Sequence, residues 1–96
     1  LKIYYFPHGL YGIIISKNAK IGKNCTILHQ VTIGEGKDGA PCIGNNCYIS
    51  AGAKIIEKIK IGNNVKIGAN CVVIEDIPDN STVVLEKLRI IIKRGD

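Results

Sequence analysis

Isoleucine and valine recur every six residues along most of this chain, and that period decides what it can fold into. Ile15, Ile21, Ile27 and Ile33 stand six apart, and after one interruption Ile43, Ile49, Ile55, Ile61, Ile67 and Val73 resume the spacing. Four residues beyond the grid positions come mostly small or branched side chains: Ala19, Cys25, Val31, Cys47, Ala53, Ile59, Val65, Cys71 and Ile77. A helix repeats every 3.6 residues and an ordinary strand alternates without a break, so neither accommodates a period of six. The hexapeptide period is instead a signature of a parallel β-helix. In Ile61-Gly62-Asn63-Asn64-Val65-Lys66, Val65 and the following Ile67 point inward while Lys66 points out, because strand side chains alternate faces. Gly22-Lys23-Asn24, Gly44-Asn45-Asn46 and Gly62-Asn63-Asn64 then turn corners, since glycine and asparagine tolerate positive φ. Three hexapeptides make one triangular coil, and coils stacked at about 4.8 Å bring equivalent positions into register. An all-β fold of three or four such coils is expected, after an irregular start.

Composition fits one small domain. With 96 residues the chain buries only a modest core, so self-association would help it, and a homotrimer is expected. The net charge of +5 invites a nucleic-acid reading. However, Lys54, Lys60 and Lys66 fall on successive faces of a three-sided coil and form no single patch. One Phe and four Tyr also offer few platforms for base stacking, so no nucleic-acid partner is expected. Ile13-Ile14-Ile15 and Ile90-Ile91-Ile92 are too short to span a bilayer, and no signal-peptide pattern is present; a cytoplasmic location is expected. The chain begins at Leu1 and contains no methionine, which points to a piece of a longer protein.

The four cysteines resolve once placed on the grid. Cys25, Cys47 and Cys71 occupy inward slots, where a free thiol acts as a compact hydrophobe, while Cys42 precedes Ile43 and should face out. Parallel stacking aims Cys25 and Cys47 the same way, which does not favour a disulfide, and no C-x-x-C spacing points to zinc. Ten residues rather than six separate Ile33 from Ile43, so four must leave the wall as a loop within the Gly- and Pro-containing segment 35–42. Loops on rigid scaffolds are where sites tend to be built.

Pro7-His8-Gly9, Gly12-Ile13-Ile14-Ile15, Ile21-Gly22-Lys23-Asn24-Cys25-Thr26-Ile27 and His29-Gln30-Val31-Thr32-Ile33-Gly34 resemble the catalytic half of the hexapeptide-repeat acetyltransferases. The nearest branches are the serine O-acetyltransferases and their relatives that acetylate sugars and polysaccharides. Gly39-Ala40-Pro41-Cys42-Ile43-Gly44, Tyr48-Ile49-Ser50-Ala51-Gly52-Ala53-Lys54-Ile55 and Lys66-Ile67-Gly68-Ala69-Asn70 are similar to that family's cofactor-groove segments. The resemblance implies a left-handed coil, an exception to the right-handed rule for parallel crossovers. It also divides the chain: a lead-in over 1–14 carrying the catalytic histidine, a β-helix over 15–84 with the loop at 35–42, and a tail over 85–96.

The implied chemistry is acetyl-CoA-dependent O-acetyl transfer to a hydroxyl acceptor. An alcohol is protonated at neutral pH, so attack on a thioester needs a base, and an imidazole titrating near pH 6.5 suits the task. By resemblance His8 is that base. Gly34, Ala51, Gly52 and Ala69 line the acetyl-CoA arm, backbone N–H groups near Gly34 serve the oxyanion, and His29 is structural or groove-lining. Two positions depart from the serine enzymes. Pro7 replaces an acidic residue before the histidine, and Ala40 replaces a second histidine before Pro41. Both fall on the acceptor side, which shifts the expected acceptor toward a sugar or polysaccharide hydroxyl, with serine retained; Asp38 could replace one lost contact. The tail reads Leu85-Glu86-Lys87-Leu88 where the family turns through Gly-Val-Pro-Ala, which bears on the adenine end of the cofactor. Two histidines are too few for the three-histidine metal sites of related helices, so no metal is expected. The competing reading is a non-catalytic β-helix serving assembly or partner binding.

Overall fold

Each hexapeptide becomes one short strand and one corner. The computed structural model describes residues 4–5, 11–86 and 90–93. Its strands, in chain order, are β1 (Tyr4–Tyr5), β2 (Ile14–Ile15), β3 (Lys20–Ile21), β4 (Cys25–Ile27), β5 (Thr32–Gly34) and β6 (Cys42–Ile43), followed by β7 (Tyr48–Ile49), β8 (Lys54–Ile56), β9 (Lys60–Ile61), β10 (Lys66–Ile67), β11 (Val72–Val73) and β12 (Thr82–Val83). They form three parallel sheets. The first runs β1-β4-β7-β10-β12, the second β2-β5-β8-β11 and the third β3-β6-β9. This is the parallel β-helix expected from the period, and the described residues contain no helix.

Register shows where the period breaks. Ile14 pairs with Thr32 and Lys54 with Val72, a spacing of 18, whereas Thr32 pairs with Lys54, a spacing of 22. The difference of four is the loop surplus counted from the sequence. A second break was not visible there. Lys66 pairs with Thr82 and Ile61 bridges to Ile77, a spacing of 16, so the last coil is two residues short. Ile77 therefore stands opposite a grid isoleucine instead of filling a small-residue slot, because the deletion moves it two places along the grid.

The core is a column of aliphatic side chains on the prism axis. Of the ten grid residues, the nine from Ile21 to Val73 are buried, joined by Cys25, Val31, Cys47, Ala53, Ile59, Val65 and Cys71. Each fully buried isoleucine contributes about 1.5–3 kcal/mol. Ile15 is 37% exposed, because β2 ends its sheet and has a neighbour on one side only. Asn24, Asn46, Asn64 and Asn80 take φ near +60° at one corner. Beside them the Asn45, Asn63 and Asp79 side chains accept hydrogen bonds from Lys23, Asn45 and Asn63 N–H at 2.7–2.8 Å, linking coil to coil. All four cysteines are free; Cys42 alone is exposed.

Candidate functional site

The corner between the first and second sheets carries most of the expected site residues. Tyr11, His29, Ala51 and Ala69 occupy equivalent positions there, each followed by a residue with positive φ: Gly12, Gln30, Gly52 and Asn70. Backbone bonds tie the stack together: Gln30 N–H donates to Tyr11 C=O at 3.1 Å, Gly52 N–H to His29 C=O at 3.1 Å, and Asn70 N–H to Ala51 C=O at 3.0 Å. A β-carbon on Gly52 would land on the Asn70 amide oxygen, so glycine there is set by close approach as well as by φ +76°. Ala51 and Ala69 are small, and half-buried His29 stands one coil above Ala51.

Gly34 lies apart from this set. It ends β5 opposite Ile56, at the other edge of the second sheet. A β-carbon at Gly34 would make only ordinary contacts, 3.7 Å to Thr32 and 3.8 Å to Ile56, so packing does not require glycine there. His8 lies outside the described residues. The step that contains it runs from β1 to β2, connecting the same two sheets as the steps holding His29, Ala51 and Ala69. That step is long: Tyr5 and Ile14 are nine apart, while their partners Thr26 and Thr32 are six apart.

The loop leaves from the Gly34 edge and folds back on itself. Gly36 N–H donates to Gly39 C=O at 2.8 Å, making a tight turn over Lys37 and Asp38. Its base is anchored by Glu35, whose carboxylate accepts from Asn18 Nδ2 and Ser16 Oγ, both at 2.9 Å. Those donors hold the Glu35 carboxyl below its ordinary range. Pro41 is fully buried and Cys42 already belongs to the wall. Beneath the loop lies a cavity of about 410 Å³ lined by Asp38, Asn18, Lys20, Cys42, Lys58 and Lys60, among others. Lys20, Cys42 and Lys60 are cross-coil partners on the third sheet, so the exposed thiol sits between two lysines.

Comparison with known proteins fits this geometry to a family. The bacterial transferase hexapeptide (six repeats) profile matches residues 43–75. The serine acetyltransferase of Bacillus pumilus is 38% identical over 96 residues, covering 96% of this chain and 44% of that protein. This chain is a homologue of the hexapeptide-repeat serine acetyltransferases over nearly its whole length. Among solved members, Entamoeba histolytica serine acetyltransferase isoform 3 in complex with cysteine superposes with a TM-score of 0.83 at 35% identity, covering 96% of this chain and 34% of that one. The Neisseria gonorrhoeae serine acetyltransferase in complex with serine gives 0.80 at 41% identity, with 86% and 35% coverage. A serine acetyltransferase in complex with CoA gives 0.77 at 38% identity, with 82% and 33% coverage. The chain thus spans less than half of that curated relative and about a third of the solved chains.

Within this hexapeptide-repeat chain, three of the four residues expected along the acetyl-CoA arm, Ala51, Gly52 and Ala69, share one corner, and Gly34 occupies another. Asp38 lines the loop cavity. No group of three or more His, Cys, Asp or Glu side chains suited to a metal exists among the described residues. The sequence reading overlooked the column of Lys20, Cys42 and Lys60. Counting cross-coil partners through the four-residue insertion, instead of along the local hexapeptides, would have found it.

Proposed function

We propose that this chain forms the acetyl-transfer half of a serine acetyltransferase-like enzyme, moving an acetyl group from acetyl-CoA directly to an acceptor hydroxyl of the serine or saccharide class. The observation that carries this reading is the stack of His29, Ala51 and Ala69 on one corner, in a chain homologous over nearly its whole length to serine acetyltransferases, one of them solved with CoA. Small side chains at Ala51, Gly52 and Ala69 give an extended thioester arm access to the backbone. In this reading backbone N–H groups near Gly34, a position free of any packing demand for glycine, serve the developing oxyanion.

His8 is the general base in this reading. It takes the hydroxyl proton as the oxygen attacks the thioester carbon; the new C–O bond forms, the C–S bond breaks, and the imidazolium returns the proton to the departing thiolate. Such catalysis is worth about 10²–10⁴-fold. Pro7 beside the base and Ala40 before Pro41 widen the acceptor class beyond L-serine. Assembly as a homotrimer and a cytoplasmic location accompany the proposal. The test follows CoA release with L-serine and a panel of saccharides, using native chain and His8→Ala. Acceptor-dependent release, lowered at least 10²-fold by His8→Ala, is expected. CoA binding without turnover on any acceptor would instead support a non-catalytic assembly module.

A further inference from the structure

The exposed thiol of Cys42 has an amine on either side of it. Strands β3, β6 and β9 pair in parallel, with Lys20 opposite Cys42 and Cys42 opposite Lys60. In each strand the leading residue is exposed and the isoleucine after it is buried, so all three side chains leave the same outer face. Lys20 N–H donates to Pro41 C=O at 3.0 Å and Cys42 N–H to Ile59 C=O at 2.9 Å, which fixes the three in register. Neighbouring strands stand about 4.8 Å apart, a gap that the four-carbon stem of lysine spans. An amine can reach the sulfur from the coil above and from the coil below.

The other strand lysines among the described residues have no such neighbour. Lys54 pairs with Thr32 and Val72, and Lys66 with Tyr48 and Thr82. Cys25, Cys47 and Cys71 are buried, which leaves Cys42 as the thiol open to a reagent. It lines the cavity of about 410 Å³ beneath the loop, a volume in the range of ligand pockets. Lys20, Lys58 and Lys60 line the same space with Asp38 and Asp76, and three cations against two anions favour an anionic reagent.

We infer that this column acetylates itself: Cys42 takes an acetyl group from an anionic acetyl thioester of the acetyl-CoA class and passes it to Lys20 or Lys60. In the first step the Cys42 thiolate adds to the thioester carbon; a new C–S bond forms, the bond to the carrier sulfur breaks, and the carrier leaves as its thiol, with the proton Cys42 gave up. In the second, the uncharged amine attacks the S-acetyl carbon; the C–N bond forms, the C–S bond breaks, and the proton lost by nitrogen returns to the Cys42 sulfur. An amide replaces a thioester, no electrons change hands, and the thiol is restored. Holding the amine beside the sulfur makes the second step intramolecular, which is the source of its rate. The thiol and both lysines are separate from the residues assigned above to acetyl transfer onto an external hydroxyl.

The experiment incubates the full chain with acetyl-CoA in mildly alkaline buffer, without a hydroxyl acceptor, and follows acetyl-lysine site by site by peptide mass spectrometry. Lys20 and Lys60 are expected to be acetylated at least about 10-fold faster than Lys54 and Lys66, and Cys42→Ser to bring all four to similar rates. Circular dichroism should show that variant folded like the native protein, since position 42 is exposed. Combining Lys20→Arg with Lys60→Arg keeps the charge of the cavity, and an S-acetyl group that hydroxylamine removes should then accumulate on Cys42. Equal rates at the four lysines of the native protein would overturn the inference. A lead at Lys20 and Lys60 that survives Cys42→Ser would overturn it in favour of cavity charge alone, and so would a double-arginine chain that never carries S-acetyl. Acetyl-lysine is read with no acceptor present, so failure to turn over serine or saccharides and failure to self-acetylate are separate results.

Discussion

Two glycines illustrate how differently the same residue can be required. Gly52 has φ +76° and lies where a β-carbon would strike Asn70, whereas Gly34 has ordinary clearance. Gly52→Ala is therefore expected to cost about 1–3 kcal/mol and lower the melting temperature. Gly34→Ala should melt within a degree or two of the native protein. Equal losses in differential scanning calorimetry would contradict the distinction. The buried thiols also follow their surroundings: hydrogen bonding with Cys25, reinforced by burial, pushes the Cys47 thiol well above its ordinary value, so it stays protonated in the core.

At the scale of elements, the loop is tied down by one carboxylate. Asn18 and Ser16 depress the Glu35 pKa, so their bonds favour the anchored loop while the carboxylate is ionised. That contribution is fully present above the ordinary glutamate value of about 4.3 and is lost as pH falls through the lower folded value. Glu35→Ala should speed amide exchange at residues 36–40 at pH 7 without affecting core strands, and the difference from native protein should shrink once pH falls below the ordinary glutamate value and vanish below the lower folded one. Unchanged loop exchange at pH 7 would show that the turn between Gly36 and Gly39 holds itself. The loop's four surplus residues were legible because they displaced a strict period. The two-residue deletion after Val73 was not, because Ile77 suits either of two inward slots and only its bridge to Ile61 distinguishes them. Gly34, Ala51, Gly52 and Ala69 were picked together from the sequence, yet three belong to one corner and one to another, since neighbouring corners read alike in a hexapeptide code.

For the whole molecule, stability rests on one uninterrupted apolar column. Ile55 is fully buried and packs between coils above and below, so Ile55→Ala removes contacts on both sides. A loss of about 2–5 kcal/mol is expected in denaturant unfolding, against less than about 1 kcal/mol for the outward neighbour Lys54→Ala. Similar losses at the two positions would mean the column is not the principal support. The sequence alone determined the strand period, the inward and outward faces, the corners and the loop, because each is a local choice repeated every six residues. Only the tertiary structure decided which residues of different coils meet: Lys20 with Cys42 and Lys60, Glu35 with Ser16 and Asn18, and Ile61 with Ile77. Those meetings depend on hydrogen-bond register carried through an insertion of four and a deletion of two, and register belongs to stacked coils rather than to any one hexapeptide.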